Sequence, residues 1–277
     1  MRIPRRVRRG VRVFFVLLVG LFLASPLLYL VSGSLMSTAQ LTDFPPQFFP
    51  SSLHFGNFSA AWSYVLPRTF VNSVIFTVAV VALQWSLCIT GGFVLAKMRF
   101  RGSNGVVFVL GLSLFVPIVT TLVPTFVVTD KLALLNTYPG LILPVVAQTG
   151  FGTLLFRQFI VSLPSELIDA ARVDGARWRV ILRRIIVPLA MPATGAYAAI
   201  SLLTAWNLYL WPLVVATKPS VEVLTETLAP LATGTFSTTI PESVGFAATV
   251  LTTLPMLIAF LVAQKAFVRG LSGSGVE

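Results

Sequence analysis

The chain has 277 residues, of which 56% are hydrophobic and only 10% charged. A soluble domain carries about a quarter charged residues, so this composition excludes an ordinary soluble enzyme and indicates a polytopic membrane protein. The net charge of +11 lies in short basic segments between long apolar runs, a placement that sets membrane topology and argues against nucleic-acid binding. Cys88 is the single cysteine and His54 the single histidine, so neither a disulfide framework nor a Cys/His metal site is indicated.

A basic segment, 1–12, opens the chain, and six apolar stretches follow: 13–31, 69–96, 105–129, 138–156, 189–217 and 243–264. Each matches the ~20 residues that cross a ~30 Å hydrocarbon core. Helices are expected, because an open sheet leaves backbone groups unpaired in lipid. The sequence therefore predicts an all-α fold with six transmembrane helices. The first stretch has the basic start of a signal peptide, but it is longer than a typical signal core and no small-x-small cleavage site follows. We read it as an uncleaved span.

Charge bias supplies the orientation. Of the 20 basic residues, only Arg68, Lys131 and Lys218 fall on one side of the predicted bundle. The positive-inside rule makes the other side cytoplasmic. Both termini, the 265–277 tail and the loop 157–188 are then inside. The outer segments, 32–68, 130–137 and 218–242, are each too small for a separate globular domain. Prolines of the third stretch, Pro117 and Pro124, read as kinks that a membrane helix tolerates.

The loop holds the longest charged, helix-competent segment, Ser165 to Pro188. Pro164 and Ser165 read as a helix start, with Ser165 as a possible N-cap. Glu166 and Asp169 follow where the helix dipole favours negative charge. Ala170 and Ala171 leave a surface that a partner can approach closely, and Gly175 is a natural stop. A second helical run has Trp178, Ile181, Leu182 and Ile185 at helical spacing among Arg177, Arg179, Arg183 and Arg184. Pro188 ends it. Two readings are open on physics alone: an amphipathic segment on lipid headgroups, or a docking element for a cytoplasmic partner.

The segment resembles the motif of bacterial ABC importer permeases: an acid, two alanines, a glycine four residues after the second alanine, and a later Ile-x-Leu-Pro. Asp169, Ala170, Ala171, Gly175, Ile185, Val187 and Pro188 occupy those positions. Asp169 stands for the usual Glu and Val187 for the usual Leu, which leaves open whether Glu166 shares the charge role. The resemblance implies a type I importer permease whose coupling helix docks into a groove on an ATPase subunit. Leu122–Phe126, Leu132–Tyr138, Leu141–Pro144, Arg157–Phe159, Trp206–Pro212 and Phe267–Leu271 resemble the carbohydrate branch, on the side of the second permease of maltose-type transporters.

No phosphate-binding loop is present: Gly270-Leu-Ser-Gly-Ser-Gly275 has no following Lys. ATP and Mg would be bound by partner subunits, and this chain is expected to hold no cofactor or metal and to be no enzyme. No Asp, Glu, Lys, Arg or His lies within the six stretches, which argues against a proton-coupled carrier and suits a neutral polar substrate. Candidate pathway residues are Asn72, Thr120, Thr121, Gln148, Asn207, Tyr209 and Trp211. The Trp206–Pro212 cluster fits either a sugar-stacking site or an interfacial aromatic belt.

The resemblance implies a second, non-identical permease, two ATPase subunits and an extracytoplasmic solute-binding protein in a bacterial plasma (inner) membrane. It implies a sugar-like cargo, and that 218–242 reaches the binding protein. Other cargoes, such as a polyol, a glycerol phosphate or a peptide, remain open. A stand-alone channel or secondary carrier is the reading from another class.

Overall fold

The computed structural model describes residues 5–65, 67–98, 100–232 and 240–272. Arg2, Arg99 and the end of the tail, 273–277, lie outside them. All regular elements among the described residues are helical. In chain order they are α1 (Arg5–Ser34), α2 (Thr38–Thr42), α3 (Gly56–Val65), α4 (Pro67–Lys97), α5 (Ser103–Ser113), α6 (Ile118–Lys131), α7 (Tyr138–Val146) and α8 (Gly150–Val161). Then come α9 (Glu166–Val173), α10 (Trp178–Ile181), a π-helical turn (Leu182–Ile186), α11 (Val187–Leu189), α12 (Met191–Trp206), α13 (Leu210–Val215), α14 (Leu224–Ala232) and α15 (Glu242–Ser272).

Among the described residues, three helices are individually long and apolar enough to cross a bilayer: Gly10–Ser34 of α1, α4, and Glu242–Ala259 of α15. Two other expected spans are bent pairs: α5 and α6 meet at 104°, and α7 and α8 at 46°. A third bent pair, Trp178–Leu189 meeting α12 at 77°, begins inside the loop rather than at the start of the expected stretch 189–217. The third stretch is thus interrupted, where the sequence suggested a tolerated kink. Pro117 sits at the break as the N-cap of α6, while Pro124 lies inside α6 without ending it. A proline has no N–H for the preceding turn and clashes with it, so a helix starting at Pro117 cannot extend backwards.

The chain forms two compact units, Met1–Pro67 with Leu228–Leu254, and Arg68–Thr227 with Pro255–Glu277. In the first, Ser37 and Gln40 make a capping box at α2. Asn57 donates to the carbonyls of Ser34 and Met36 at 2.9 and 2.8 Å. Tyr29 meets Phe246 edge-on at 5.8 Å. The apolar residues of α1 from Val11 to Leu23 are exposed, as suits a helix whose solvent is lipid.

The second unit contains two apolar cores. One gathers Phe76 and Val80 of α4, Leu141 and Val145 of α7, Ala205 of α12, Trp211 and Val215 of α13, and Val221 and Val223. The other gathers Ile89 and Phe93 of α4, Phe156 and Ile160 of α8, Ile168 of α9, Ile181, Ile186 and Tyr197.

Candidate coupling site and the polar interior

α9 is amphipathic on a small scale. Ile168 is 5% exposed and packs in the second core, with Ala171 half-buried beside it. Glu166, Leu167, Asp169, Ala170 and Asp174 face outward, and Val173 is 89% exposed. Burying Ile168 and Ile181 contributes on the order of 1.5–3 kcal/mol each. Ser165 makes no side-chain cap, in contrast to the sequence reading; its φ of −69° and ψ of −27° are already helical, which turns the hydroxyl away from a capping position. The helix ends at Gly175, whose φ is +77°. The Gly175 amide donates to Arg172 at 3.0 Å and the Ala176 amide to Ala171 at 2.9 Å. This pair of bonds is a Schellman stop, which wants glycine at the left-handed position.

Trp178 joins the loop to the bundle. Its ring meets Phe93 of α4 at 5.8 Å, and the Arg172 guanidinium lies 4.9 Å over it, a cation–π contact. Arg177, Arg179, Arg183 and Arg184 are all exposed. The π-helical turn keeps Ile181 and Ile186 both fully buried while Arg183 and Arg184 point out. In an α-helix, residues five apart diverge; the wider turn realigns them. Ile185 is half-buried at the edge of the second core. Pro188 is exposed and does not itself end the run: it lies inside α11, and the chain turns at Ala190.

The candidate pathway residues differ in exposure and in partners. Asn72 is buried, and its amide is used within the protein. It donates to the carbonyls of Ser220 at 3.2 Å and Glu222 at 2.8 Å and accepts from the Tyr138 hydroxyl at 2.6 Å. Trp211 is buried, and its indole donates to the Leu141 carbonyl at 3.1 Å. Asn207 is exposed and bonds back to Leu203 at 2.9 Å. Thr120 and Thr121 are exposed, with hydroxyls on the carbonyls of Pro117 and Ile118. Tyr209 is half-buried between α12 and α13, and Gln148 is exposed in the α7–α8 break.

One polar residue inside a span escaped the sequence reading. Gln84 of α4 is 8% exposed. Its amide donates to the Val145 carbonyl at 2.7 Å and, more weakly, to that of Gln148 at 3.5 Å. Its oxygen accepts from Ser201 at 2.9 Å and Tyr197 at 3.3 Å. Cys88, one turn along, touches the Thr149 carbonyl at 3.5 Å and the Tyr197 oxygen at 3.6 Å. The signal available was an amide in the middle of a 28-residue apolar stretch, 69–96, because a group so placed needs a partner. On the 220–227 segment, burial pushes the Glu226 carboxyl up to about 7; a bond from the Val223 amide opposes this and the neighbouring Glu222 charge adds to it.

The profile of the family described as "Binding-protein-dependent transport system inner membrane component" matches residues 88–273. The chain belongs to this family. Among curated relatives of this permease, the arabinooligosaccharides transport system permease protein AraQ of Halalkalibacterium halodurans is 32% identical over 272 residues, covering 95% of this chain and 93% of that one. The sn-glycerol-3-phosphate transport system permease protein UgpE of Yersinia pestis is 29% identical, covering 96% and 98%. The diacetylchitobiose uptake system permease protein NgcG of Streptomyces coelicolor is 33% identical, covering 87% and 80%. The fold is also that of a chain in a bacterial ABC transporter involved in the import of the acidic polysaccharide alginate. The TM-score is 0.83 at 24% identity, with 96% of this chain and 99% of that one covered. The protein is therefore a membrane-spanning permease of the importer type.

Proposed function

We propose that this permease pairs with a second, non-identical permease in a bacterial plasma (inner) membrane to form the path for a sugar or a related neutral polar solute. Both termini and the 157–188 loop face the cytoplasm. Two ATPase subunits dock there and hold ATP and Mg; this chain supplies no catalysis. A solute-binding protein delivers cargo from outside and meets the 218–242 segment, of which 233–239 lie outside the described residues.

The observation that carries this reading is α9. It is anchored inward by Ile168 and Ala171, stopped by Gly175, and presents Glu166, Leu167, Asp169, Ala170 and Val173 outward. An exposed strip of small and apolar residues edged by acids suits a groove on a protein better than lipid headgroups, which attract the arginines of the following segment. Sugar cargo is supported by relatives whose names refer to arabinooligosaccharides and diacetylchitobiose. The glycerol-phosphate relative gives the second cargo reading. A phosphate would want a cation in the path, and the six apolar stretches contain none.

The test is purification of the tagged chain from native membranes, with its companions identified by mass spectrometry, followed by ATP-dependent uptake in proteoliposomes. An ATPase, a second permease and a binding protein are expected, and a ligand screen of the last names the cargo. Asp169→Arg and Glu166→Arg are then compared for uptake and ATP hydrolysis. A chain that purifies alone and moves solute without ATP would overturn the reading, as would two charge reversals that leave coupling intact.

A further inference from the structure

The two cores of the second unit lie in series, and the same elements run through both. Along α4, Val80 belongs to the first core and Cys88 to the second. Along α12, Ala205 belongs to the first and Tyr197 to the second. The fourth span gives Val146 to the first and Phe156 to the second, and it is broken in between, bending 46° between α7 and α8. Between the cores α4 carries Gln84 and α12 carries Ser201, and the bonds of Gln84 reach from the Val145 carbonyl of the first core to the Tyr197 hydroxyl of the second. The Gln84 amide reaches the end of α7, and its oxygen receives two hydroxyls of α12. Gln84 therefore sits at a level where α4, the broken span and α12 are all joined by polar bonds.

Close-packed apolar cores resist sliding. The carbonyls at the end of a helix lack their full set of helical donors; that of Val145 takes the Gln148 backbone amide at 3.1 Å and the Gln84 side-chain amide at 2.7 Å. A buried amide left without its partners costs about 1–3 kcal/mol, so the bonds of this layer hold the two cores in register. The core on one side of it carries Ile168 of the coupling helix and Ile181.

We propose that Gln84 is a positioning residue of the transport cycle. It pins the broken fourth span to α4 and α12, so that movement entering through α9 is delivered across the layer to the first core. The proposal rests on the importer reading above. Without the pin, the cores move independently: ATP is still hydrolysed and solute is no longer carried.

The whole transporter, reconstituted in proteoliposomes, tests this with Gln84→Leu, which is close in volume and cannot bond. Normal co-purification with the ATPase is expected, with hydrolysis within about twofold of the unaltered complex and uptake lower by about tenfold or more. Ser201→Ala removes one of the bonds and should shift the ratio of uptake to hydrolysis the same way, by about two- to threefold. It decides the matter if Gln84→Leu does not assemble. Cys88, fully buried beside the layer and the chain's single cysteine, gives a second readout. A small membrane-permeant maleimide should spare it at rest and modify it about tenfold faster under ATP turnover.

The proposal is overturned if hydrolysis and uptake fall in parallel in both variants, if coupling is unchanged, or if Cys88 reacts equally in every state. An unaltered complex that shows no ATP-dependent uptake would instead sink the importer reading itself.

Discussion

The coupling loop and the Gln84 layer adjoin the same apolar core and follow opposite rules. In the loop the polar groups face out and the apolar ones anchor: Ile168 and Ile181 are buried, and Glu166, Asp169 and four arginines are not. In the layer the polar groups are buried and bond one another across helices. Exposed charges add little to stability, so those of α9 are free to be set by a partner. A buried amide costs about 1–3 kcal/mol when its partner is removed, so Gln84 is fixed by the fold. The loop reads as a surface for contact and the layer as a joint for position.

The largest expected effect comes from crowding the joint. A Cβ on Gly152 would lie 2.5 Å from a Tyr197 ring carbon and 2.6 Å from the Cys88 sulfur, both in the core. Gly152→Val should therefore cost at least the ~1–3 kcal/mol of overpacking. It is expected to remove most assembled protein, measured as the yield of monodisperse complex. Yield equal to the unaltered chain would show that the joint is loosely packed.

The loop should respond more mildly to a backbone change. Nothing crowds a Cβ at Gly175, but its φ is +77°. Gly175→Ala should cost about 1–2 kcal/mol of local strain. The expected outcome is faster amide exchange in 166–176, with the yield of complex preserved.

Acidity should tune the 220–227 segment. Burial raises the Glu226 carboxyl from the ordinary 4.5 to about 7. A raised folded-state value means that protonation favours the folded segment. Its contribution is fully present below pH 4.5, declines between 4.5 and 7, and is lost above. The protection factor of 220–227, which is amide exchange corrected for its intrinsic pH dependence, should thus be higher at pH 5 than at pH 8. Glu226→Gln should flatten that dependence.

The smallest effect is expected at Thr77. Its hydroxyl is buried on α4 without a partner among the described residues, unlike every bond-making group of the Gln84 layer. Thr77→Val replaces an unsatisfied group by an apolar one of the same shape, which is neutral or stabilising. Thermal stability and uptake should change little, within about 0.5 kcal/mol for the former. A clear loss of uptake would give Thr77 a partner in another state and extend the joint along α4.

The same contrast explains what the sequence made legible. The determinants of α9 are local: acid, alanines and Gly175 lie within one short segment, so helix and stop could be read from it, whereas Ala171, read as part of the partner-facing surface, packs inward beside Ile168. The family resemblance rested on that segment and led to the importer class. Ser165 misled because a capping residue must have extended backbone, and here it is helical. Gln84 was missed because its partners lie 61, 113 and 117 residues away. Asn72 was singled out as a polar residue in a span, but bonds 148 and 150 residues distant had already engaged it. The third and fourth apolar stretches proved to be bent pairs, since hydropathy reports length in lipid and is blind to direction. Pro117 marked one bend, whereas the 46° bend at 147–149 has no proline of its own.

The central claim is that α9 is the contact through which an ATPase drives this permease. The most direct measurement is site-specific crosslinking from Ala170→Cys in the intact transporter, since Ala170 is exposed in the middle of α9 and the native Cys88 is buried. The account predicts a crosslink to an ATPase subunit, with a yield that changes between nucleotide-free and ATP-trapped states. An Ala170→Cys that remains reactive to a soluble maleimide in every state, in a complex that contains the ATPase, would contradict it.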